Sequence, residues 1–416
     1  MKDGKFIIKN KIQTIDIFII SWLLFFVLIQ FRLHVLISTS KIILSFLCLI
    51  MIVLRFFINL KKNKNNANRV ILGIILLLII FTTSIFGKKT YFFNNFRELL
   101  FPCILFLYTS FLSKDKEGID KLFLKYLLIL NIYFLINTII MYLQINGHDE
   151  LLDTTFYSEL KFDYMSGLFG GNDGTHRVTL FASLITILML FYYKRLNIFM
   201  KCFNLIIYLF SIIVTTYLST QNDNVSFFIF VPLSVIIYYL IYYKKIFLFL
   251  KKAVLPTCII VCLYCILNIL IINDVQGFGK ILTRLNMTIF SYGNKFGVLS
   301  NTIDERALLF SIALKNGNCF GQGIGAIKIL GEETISNHFG MASAQSLVYI
   351  IGIVPYILYI IFIASGYTKK MSLIFLSFIG YIFATAYYTQ ILTVFNSTIL
   401  FSIILMLMGR VGYSEV

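Results

Sequence analysis

The chain has 416 residues, of which 59% are hydrophobic, 17% are aromatic and only 13% are charged. A soluble domain carries about 25% charged residues, and the mean hydropathy of +0.87 is far from soluble values, so composition excludes an ordinary soluble protein. The formal net charge of +17 would suit nucleic acid as a partner, but the cations are distributed in a way that argues against that role.

Apolar stretches of the length that a bilayer requires, about 20 residues, predict twelve membrane spans. They cover residues 15–34, 41–60, 70–87, 99–113, 121–143, 178–193, 198–218, 225–243, 253–272, 345–365, 371–388 and 391–408. The prediction is therefore an all-α polytopic membrane protein in which residues 1–416 form one integral membrane domain. Two long polar connections interrupt it, a first external loop at 144–177 and a large external loop at 273–344, between spans nine and ten.

The charges fix the predicted orientation of these spans. If residue 1 is cytoplasmic, the inner segments carry 21 lysine and arginine residues and five acidic residues, whereas cations and anions balance in the outer segments. Cytoplasmic loops of membrane proteins are enriched in lysine and arginine. The excess positive charge is thus a topology signal, and it predicts that both termini are cytoplasmic.

The first external loop ends in a glycine-rich segment, GLFGGNDGTHR at residues 167–177. Glycine permits tight turns and close approach of the backbone to a ligand. His176 and Arg177 follow at the mouth of the sixth span, at the level of the lipid headgroups. Two interpretations stay open, a flexible loop with snorkelling ends or a site in which Arg177 binds a phosphate or a sugar. The turn STQNDN at 219–224 can likewise touch a sugar or be only a turn.

The large external loop contains two predicted helices. In the first, at 278–290, basic residues that include Arg284 alternate with apolar ones, which is typical of an interfacial helix. In the second, at 302–317, Thr302 is the predicted N-cap and Gly317 the predicted stop. Arg306 lies in the first turns of this second helix. The remaining candidate site residues follow it in the chain: Gly321, Gly323, Gly325, Glu332, Glu333, Asn337 and His338.

These residue types favour phosphate chemistry without a metal. The outer segments lack an Asp-x-Asp pair, and the four histidines lack ligand spacing, so no metal or other cofactor is expected. Guanidinium groups bind phosphate oxygens in a bidentate manner, and three arginines lie near predicted membrane boundaries on the outside: Arg177, Arg284 and Arg306. His338 can accept a hydroxyl proton near neutral pH. The glycines of 321–325 form either a backbone nest for an anion or a hinge between helices.

A family resemblance adds to these observations. Arg306, the apolar helix after it, the FGQGIG segment at 320–325 and the Asn-His pair at 337–338 before a span with Gly352 resemble the C-terminal signature of the O-antigen polymerase/O-antigen ligase superfamily. Arg306 and Gly317 match the Arg-x10-Gly spacing of the polymerases, whereas Arg177 does not, because position 188 is Leu188. The family also has twelve spans with a large late outer loop, a GT-C-like arrangement.

The resemblance implies a function and roles for the residues. A sugar hydroxyl of one undecaprenyl-pyrophosphate-linked oligosaccharide attacks the anomeric carbon of a second one, with inversion, on the outer face of the bacterial inner membrane. His338 is the expected base, with the pair Glu332-Glu333 as the alternative, and Arg306 is the main pyrophosphate ligand. The supporting substrate contacts are Arg177, Arg284, His176, Asn337, Gly323 and Gly325. Expected partners are membrane lipids, a chain-length regulator and a flippase.

The sequence leaves three functions open. The first is a polymerase of lipid-linked repeat units that makes O-antigen or capsule, and the second is the O-antigen ligase. The third, from another class, is a flippase or other transporter, which would place charged residues or Pro/Gly breaks at mid-span. Because the predicted spans are nearly free of charge and the polar residues collect in two outer loops, the sequence favours a glycosyltransferase.

Overall fold

The structure is a computed structural model of the chain, and it describes most of the residues. The described residues are 2–28, 43–44, 46–54, 71–78, 81, 91–113, 117–148, 151, 165–170, 174–222, 224–243, 298–326, 342–368 and 373–413. All helices, contacts and burial given below are those of these residues.

Eleven α-helices of the described chain have defined bounds. They are α1 (Lys2–Leu28), α2 (Phe92–Leu112), α3 (Glu117–Ile145), α4 (Gly174–Tyr192), α5 (Ile198–Gln221), α6 (Val225–Tyr243), α7 (Val298–Gly317), α8 (Ser343–Ile351), α9 (Ile353–Tyr367), α10 (Leu373–Tyr388) and α11 (Phe395–Tyr413). Short 3-10 helices lie at Gly167–Phe169 and Tyr193–Arg195, residues 46–54 and 71–78 are also helical, and no strand occurs among the described residues.

The predicted fold class is confirmed at the coarse level of an all-helical protein with membrane character. Four described helices are long and apolar enough to cross a bilayer, at Ile119–Ile145, Gly174–Arg195, Ile198–Ser219 and Ser226–Tyr243, and several shorter apolar helices accompany them. On α5, Ile198, Ile206 and Ile213 recur every seven or eight residues and are 65–80% exposed. Water would penalise such an apolar stripe, whereas lipid would not.

Two helices, α4 and α11, form the centre of the bundle and are buried along nearly their whole lengths. They pack on each other, α6 packs on both, α3 pairs with α5, and α2 and α9 cover the other side of α11. Neighbouring helices α3 to α6 alternate in direction. Their junctions define a predicted outer end, with Ile145, Gly174, Gln221 and Val225, and a predicted inner end, with Glu117, Tyr192 and Ile198.

Polar side chains join α3 to α5 inside the bundle. Asn131 Nδ2 donates to Asn204 Oδ1 at 2.8 Å, and the hydroxyls of Thr138 and Thr215 lie 2.9 Å apart. All four residues are at most 1% exposed. Because apolar packing gives little preference for one helix neighbour over another in lipid, such hydrogen bonds help to specify which helices pair.

An ionic cluster closes the predicted inner end. The Asp120 carboxylate of α3 accepts from Tyr192 Oη at 2.7 Å, from Arg195 Nη1 at 3.0 Å and from Arg410 Nη2 of α11 at 3.0 Å. The Arg410 side chain is only 2% exposed, so it depends on this carboxylate for charge compensation. The cluster ties α3 and the end of α4 to α11.

The span predicted at 345–365 is wrong as a single helix. It is two helices, α8 and α9, which are separated by Gly352 at φ +84°. Other bounds also differ from the prediction: α1 begins at 2 rather than 15, α2 at 92 rather than 99, and α4 at 174 rather than 178, so the last four residues of the predicted first external loop are helical. The twelve-span count stays a prediction, since residues 253–272, among others, lie outside the described residues.

Candidate functional site

The structure describes part of the predicted site. Arg306 lies on helix α7, where its backbone is described, and His176, Arg177, Gly323 and Gly325 are described in full. Five predicted site residues lie outside the described residues: Arg284, Glu332, Glu333, Asn337 and His338. Whether Arg306 and His338 share a cavity therefore stays a prediction.

The Arg177 side chain is buried in the bundle, although the residue lies at the predicted outer end of α4. It belongs to the first turn of α4 and is 3% exposed, and its Nη2 donates to the carbonyl of Gly170. The sequence predicted that Arg177 faces the lipid headgroups, and the structure does not place it there. The reason is that α4 begins four residues earlier than predicted, so that position 177 belongs to a helical turn that is packed in the bundle. The guanidinium holds the segment 165–170, which we call the strap, against the bundle.

The strap is fixed by amide side chains on α3. Asn137 Oδ1 accepts from Leu168 N at 2.7 Å, and Gln144 Oε1 accepts from Gly167 N at 2.8 Å. Gly167 has φ +70°, and a Cβ there would overlap the Asn137 side chain. Only glycine therefore fits at position 167, and close packing on α3 explains this one glycine of the segment.

His176 belongs to a hydrogen-bond network between α4 and α6. Its Nδ1 lies 3.3 Å from Ser226 Oγ. Ser226 Oγ also donates to Asn224 Oδ1 at 2.6 Å, and Asn224 Nδ2 donates to the carbonyl of Thr175 at 3.0 Å. Asn224 is 2% exposed. The polar residues of the predicted turn at 219–224 were a sequence signal for this network, but nothing in their composition indicates that Asn222 and Asn224 are buried.

Helix α7 places Arg306 in a defined register. The helix begins at Val298, so the predicted N-cap at Thr302 is wrong, and it ends at Gly317 as predicted. Eleven residues at about 100° each make three turns plus about 20°. Position 306 therefore shares one stripe of α7 with Ala313, which is fully buried, and with Gly317.

The segment after α7 crosses the break between α8 and α9 in direct backbone contact, and we call this the glycine crossing (residues 317–323 with 348–354). Gln322 N and Gly323 N donate to the carbonyls of Tyr349 and Ile350, each at 3.0 Å. In return, Ile353 N and Val354 N donate to the carbonyls of Asn318 and Cys319, at 3.3 and 3.1 Å. The end of α8 and the start of α9 thus find partners for backbone groups that a helix terminus leaves unsatisfied.

Glycine is required at three positions of the crossing. A Cβ at Gly317 would overlap the carbonyl oxygen of Val348, one at Gly321 would overlap that of Ile350, and one at Gly352 would overlap that of Cys319. Gly321 and Gly352 also have φ of +79° and +84°. The two backbones are therefore in direct contact at these three positions.

The glycine crossing argues against an anion nest at residues 321–323. The N–H groups of Gln322 and Gly323 are already bonded to carbonyls, and Gly321 N donates to Gly317 O at 2.6 Å, so these three cannot form an anion nest. The carbonyl of Gly325 accepts from Tyr91 N at 3.4 Å, and that of Ile324 accepts from Asn95 Nδ2. The segment is a connector that joins α7, α8, α9 and α2.

Within the described part of the chain, no three His, Cys, Asp or Glu residues are grouped in a way that could hold a metal ion. Comparison with known proteins adds no assignment, because no family model, curated protein or solved structure matches the chain.

Proposed function

We propose that the chain is a membrane glycosyltransferase that polymerises undecaprenyl-pyrophosphate-linked oligosaccharide repeat units into O-antigen or capsular polysaccharide. The observation that carries the proposal is the register of Arg306. Gly317 is an anchored glycine, and Arg306 lies three turns before it on the same stripe of α7. This geometry supplies a physical reason for the Arg-x10-Gly spacing of the family. The spacing sets the position of the arginine relative to a glycine that is fixed by the crossing.

The proposed reaction is a displacement at the anomeric carbon. The acceptor hydroxyl oxygen bonds to that carbon, the bond from the carbon to the pyrophosphate oxygen breaks, and the electron pair leaves with the pyrophosphate. His338 takes the hydroxyl proton, or one of Glu332 and Glu333 does so, while Arg306 stabilises the charge that develops on the leaving group. In this scheme arginines replace a divalent cation.

The other arginines have supporting roles in the proposal. Arg284 is assigned to the lipid pyrophosphate. Arg177 is buried and donates to the Gly170 carbonyl. In the proposal it therefore supports the site indirectly, by holding the strap in place. The twelve-span, GT-C-like arrangement and an inner-membrane location with cytoplasmic termini belong to the same proposal.

A transporter of lipid-linked oligosaccharides is the second candidate, and the break at Gly352 is the observation that favours it. Transporters place substrate sites where helices are interrupted, and α8 and α9 form such an interrupted pair. However, the backbone groups at this break are bonded to the segment after α7, and few remain for a substrate. O-antigen ligase uses the same chemistry as the polymerase with a different acceptor.

The test is the surface glycan of a deletion strain, analysed as an electrophoretic ladder. We expect single-repeat material from a polymerase deletion. Loss of all attached glycan would indicate a ligase, and intracellular build-up of lipid-linked units would indicate a flippase.

Complementation with point variants tests the site. We expect Arg306→Ala and His338→Ala to abolish chain extension at normal protein levels, whereas Lys315→Ala, which removes an exposed cation from the same helix, keeps the wild-type ladder. Arg306→Lys separates charge from bidentate geometry and should restore only part of the activity. Wild-type ladders from both alanine variants would remove the site assignment.

A further inference from the structure

Three buried polar atoms in one region of the predicted outer end have no hydrogen-bond partner among the described residues. They are Ser166 Oγ, Ser219 Oγ and Asn222 Oδ1, and each of these residues is at most 1% exposed. Buried polar atoms are nearly always paired, and leaving one unpaired opposes folding. We call these residues the unpartnered cluster.

Hydrogen bonds and sequence neighbours connect the members of the cluster. Asn222 Nδ2 donates to the carbonyl of Met165 at 2.9 Å, and Met165 directly precedes Ser166 in the strap. Ser219 lies three residues before Asn222, which is one turn along the end of α5. Ser166 Oγ lies against Gly174, where a Cβ would overlap it. The cluster therefore lies between the strap, the end of α5 and the start of α4.

We propose that the unpartnered cluster is a subsite for one sugar residue of the lipid-linked oligosaccharide. A carboxamide oxygen only accepts hydrogen bonds, whereas a serine hydroxyl both donates and accepts. Neighbouring sugar hydroxyls match this set, because each can donate to Asn222 Oδ1 and exchange hydrogen bonds with Ser166 and Ser219. An ionised phosphate offers acceptors alone and would leave Asn222 Oδ1 unpaired. The choice of a sugar as the ligand class rests on the proposed function, while the cluster itself does not.

The strap covers these atoms. It contacts α3 and α4 through Asn137, Gln144 and Arg177 and through Phe169, whose ring packs on Tyr133 and Phe181. It contacts the end of α5 through the bond from Asn222 to Met165. A sugar hydroxyl can take the place of the Met165 carbonyl at Asn222. The Asn222 carboxamide then donates through Nδ2 and accepts through Oδ1, and both bonds go to the sugar. Asn222 is then a specificity-determining residue, with Ser166 and Ser219 beside it.

Thermal unfolding of the full-length protein in detergent tests the subsite directly. The probes are the methyl glycosides of neutral hexoses and N-acetylhexosamines. We expect at least one of them to raise the Tm of the wild type by about 2 °C more than that of Asn222→Ala. Ser211→Ala is the matched control, because its hydroxyl is also buried and unpartnered but lies elsewhere on α5, and it should respond as the wild type does. No shift with any glycoside, or equal shifts in all three proteins, would overturn the subsite.

A second measurement needs no added ligand. Removal of an unpartnered buried hydroxyl should leave the Tm unchanged or raise it, so Ser219→Ala should fold normally yet lower polymer yield by about 3- to 10-fold, the loss expected for one hydrogen bond. Ser211→Ala should keep the wild-type yield. If Ser219→Ala also keeps it, the subsite is wrong even when Arg306→Ala abolishes extension. If Arg306→Ala and His338→Ala keep their ladders while the glycoside shift persists, the polymerase mechanism falls and the sugar subsite stands.

Discussion

At the scale of single residues, glycine decides the geometry of the site. Gly317 could be predicted as the end of a helix, since glycine commonly follows a last turn. Its second role, contact with the backbone of Val348, could not be predicted, because the partner lies 31 residues away and no local pattern marks it. The same limit applies to Asn222 and Asn224, which have the composition of a turn but are buried and donate to the distant carbonyls of Met165 and Thr175.

Gly317→Ala should therefore destabilise the protein. The new Cβ overlaps the Val348 carbonyl, and relief of such overpacking typically costs about 1–3 kcal/mol. The matched control is Gly380→Ala on α10, where a Cβ meets nothing within 4 Å and alanine favours the helix. Thermal unfolding in detergent measures both, and an equal Tm for the two variants would contradict the close crossing.

At the scale of helices, hydropathy locates most of the helices but does not show where an apolar stretch is broken into two. The apolar run at 345–365 is continuous in hydropathy, and the signal for a break within it is the pair Gly352 and Pro355, which hydropathy does not record. The break at Gly352 is stable because a distant segment supplies the missing hydrogen bonds. Conversely, α3 and α5 were predicted within a few residues. Their pairing is helped by buried hydrogen bonds such as that between Asn131 and Asn204, and a hydropathy average does not reveal such polar side chains.

The α3–α5 pairing can be measured as a coupling energy. A double-mutant cycle of Asn131→Leu and Asn204→Leu should give about 0.6 kcal/mol and at most about 1.7 kcal/mol, as for other hydrogen bonds between membrane helices. The control cycle pairs Asn131→Leu with Thr215→Val, whose partner is Thr138, and it should be additive within about 0.5 kcal/mol. Equal coupling in both cycles would show that the Asn131–Asn204 contact is not specific.

At the scale of the whole molecule, charge distribution predicts which end of the bundle faces the cytoplasm. It does not predict that Arg410, assigned to the inner side, folds back to Asp120 and is nearly buried. A sum of charges over each segment counts positive and negative residues, and it does not show which of them form ion pairs. The predicted site likewise rests on Arg306 and His338, which belong to two parts of one loop, and sequence order alone does not bring them together.

Two positions offer a test of orientation. Cys319 is exposed on the connector at the predicted outer end, and Lys194 is exposed at the predicted inner end, between α4 and α5. In variants whose only cysteine is Cys319 or the one introduced by Lys194→Cys, a membrane-impermeant maleimide applied to spheroplasts should modify Cys319 at once and position 194 only after the membrane is permeabilised. A variant without any of the seven cysteines controls for background labelling. Modification at position 194 alone in sealed spheroplasts would reverse the topology.

The glycine crossing also has a consequence for biogenesis. The ribosome makes the connector at 317–323 before it makes residues 348–354, so the hydrogen-bonding groups that cap the broken helix pair are present when that pair leaves the translocon. Without them, α8 and α9 would enter lipid with open polar backbone, which is strongly disfavoured. A translated fragment that starts after residue 323 would then fail to integrate, and quality-control proteases would remove it.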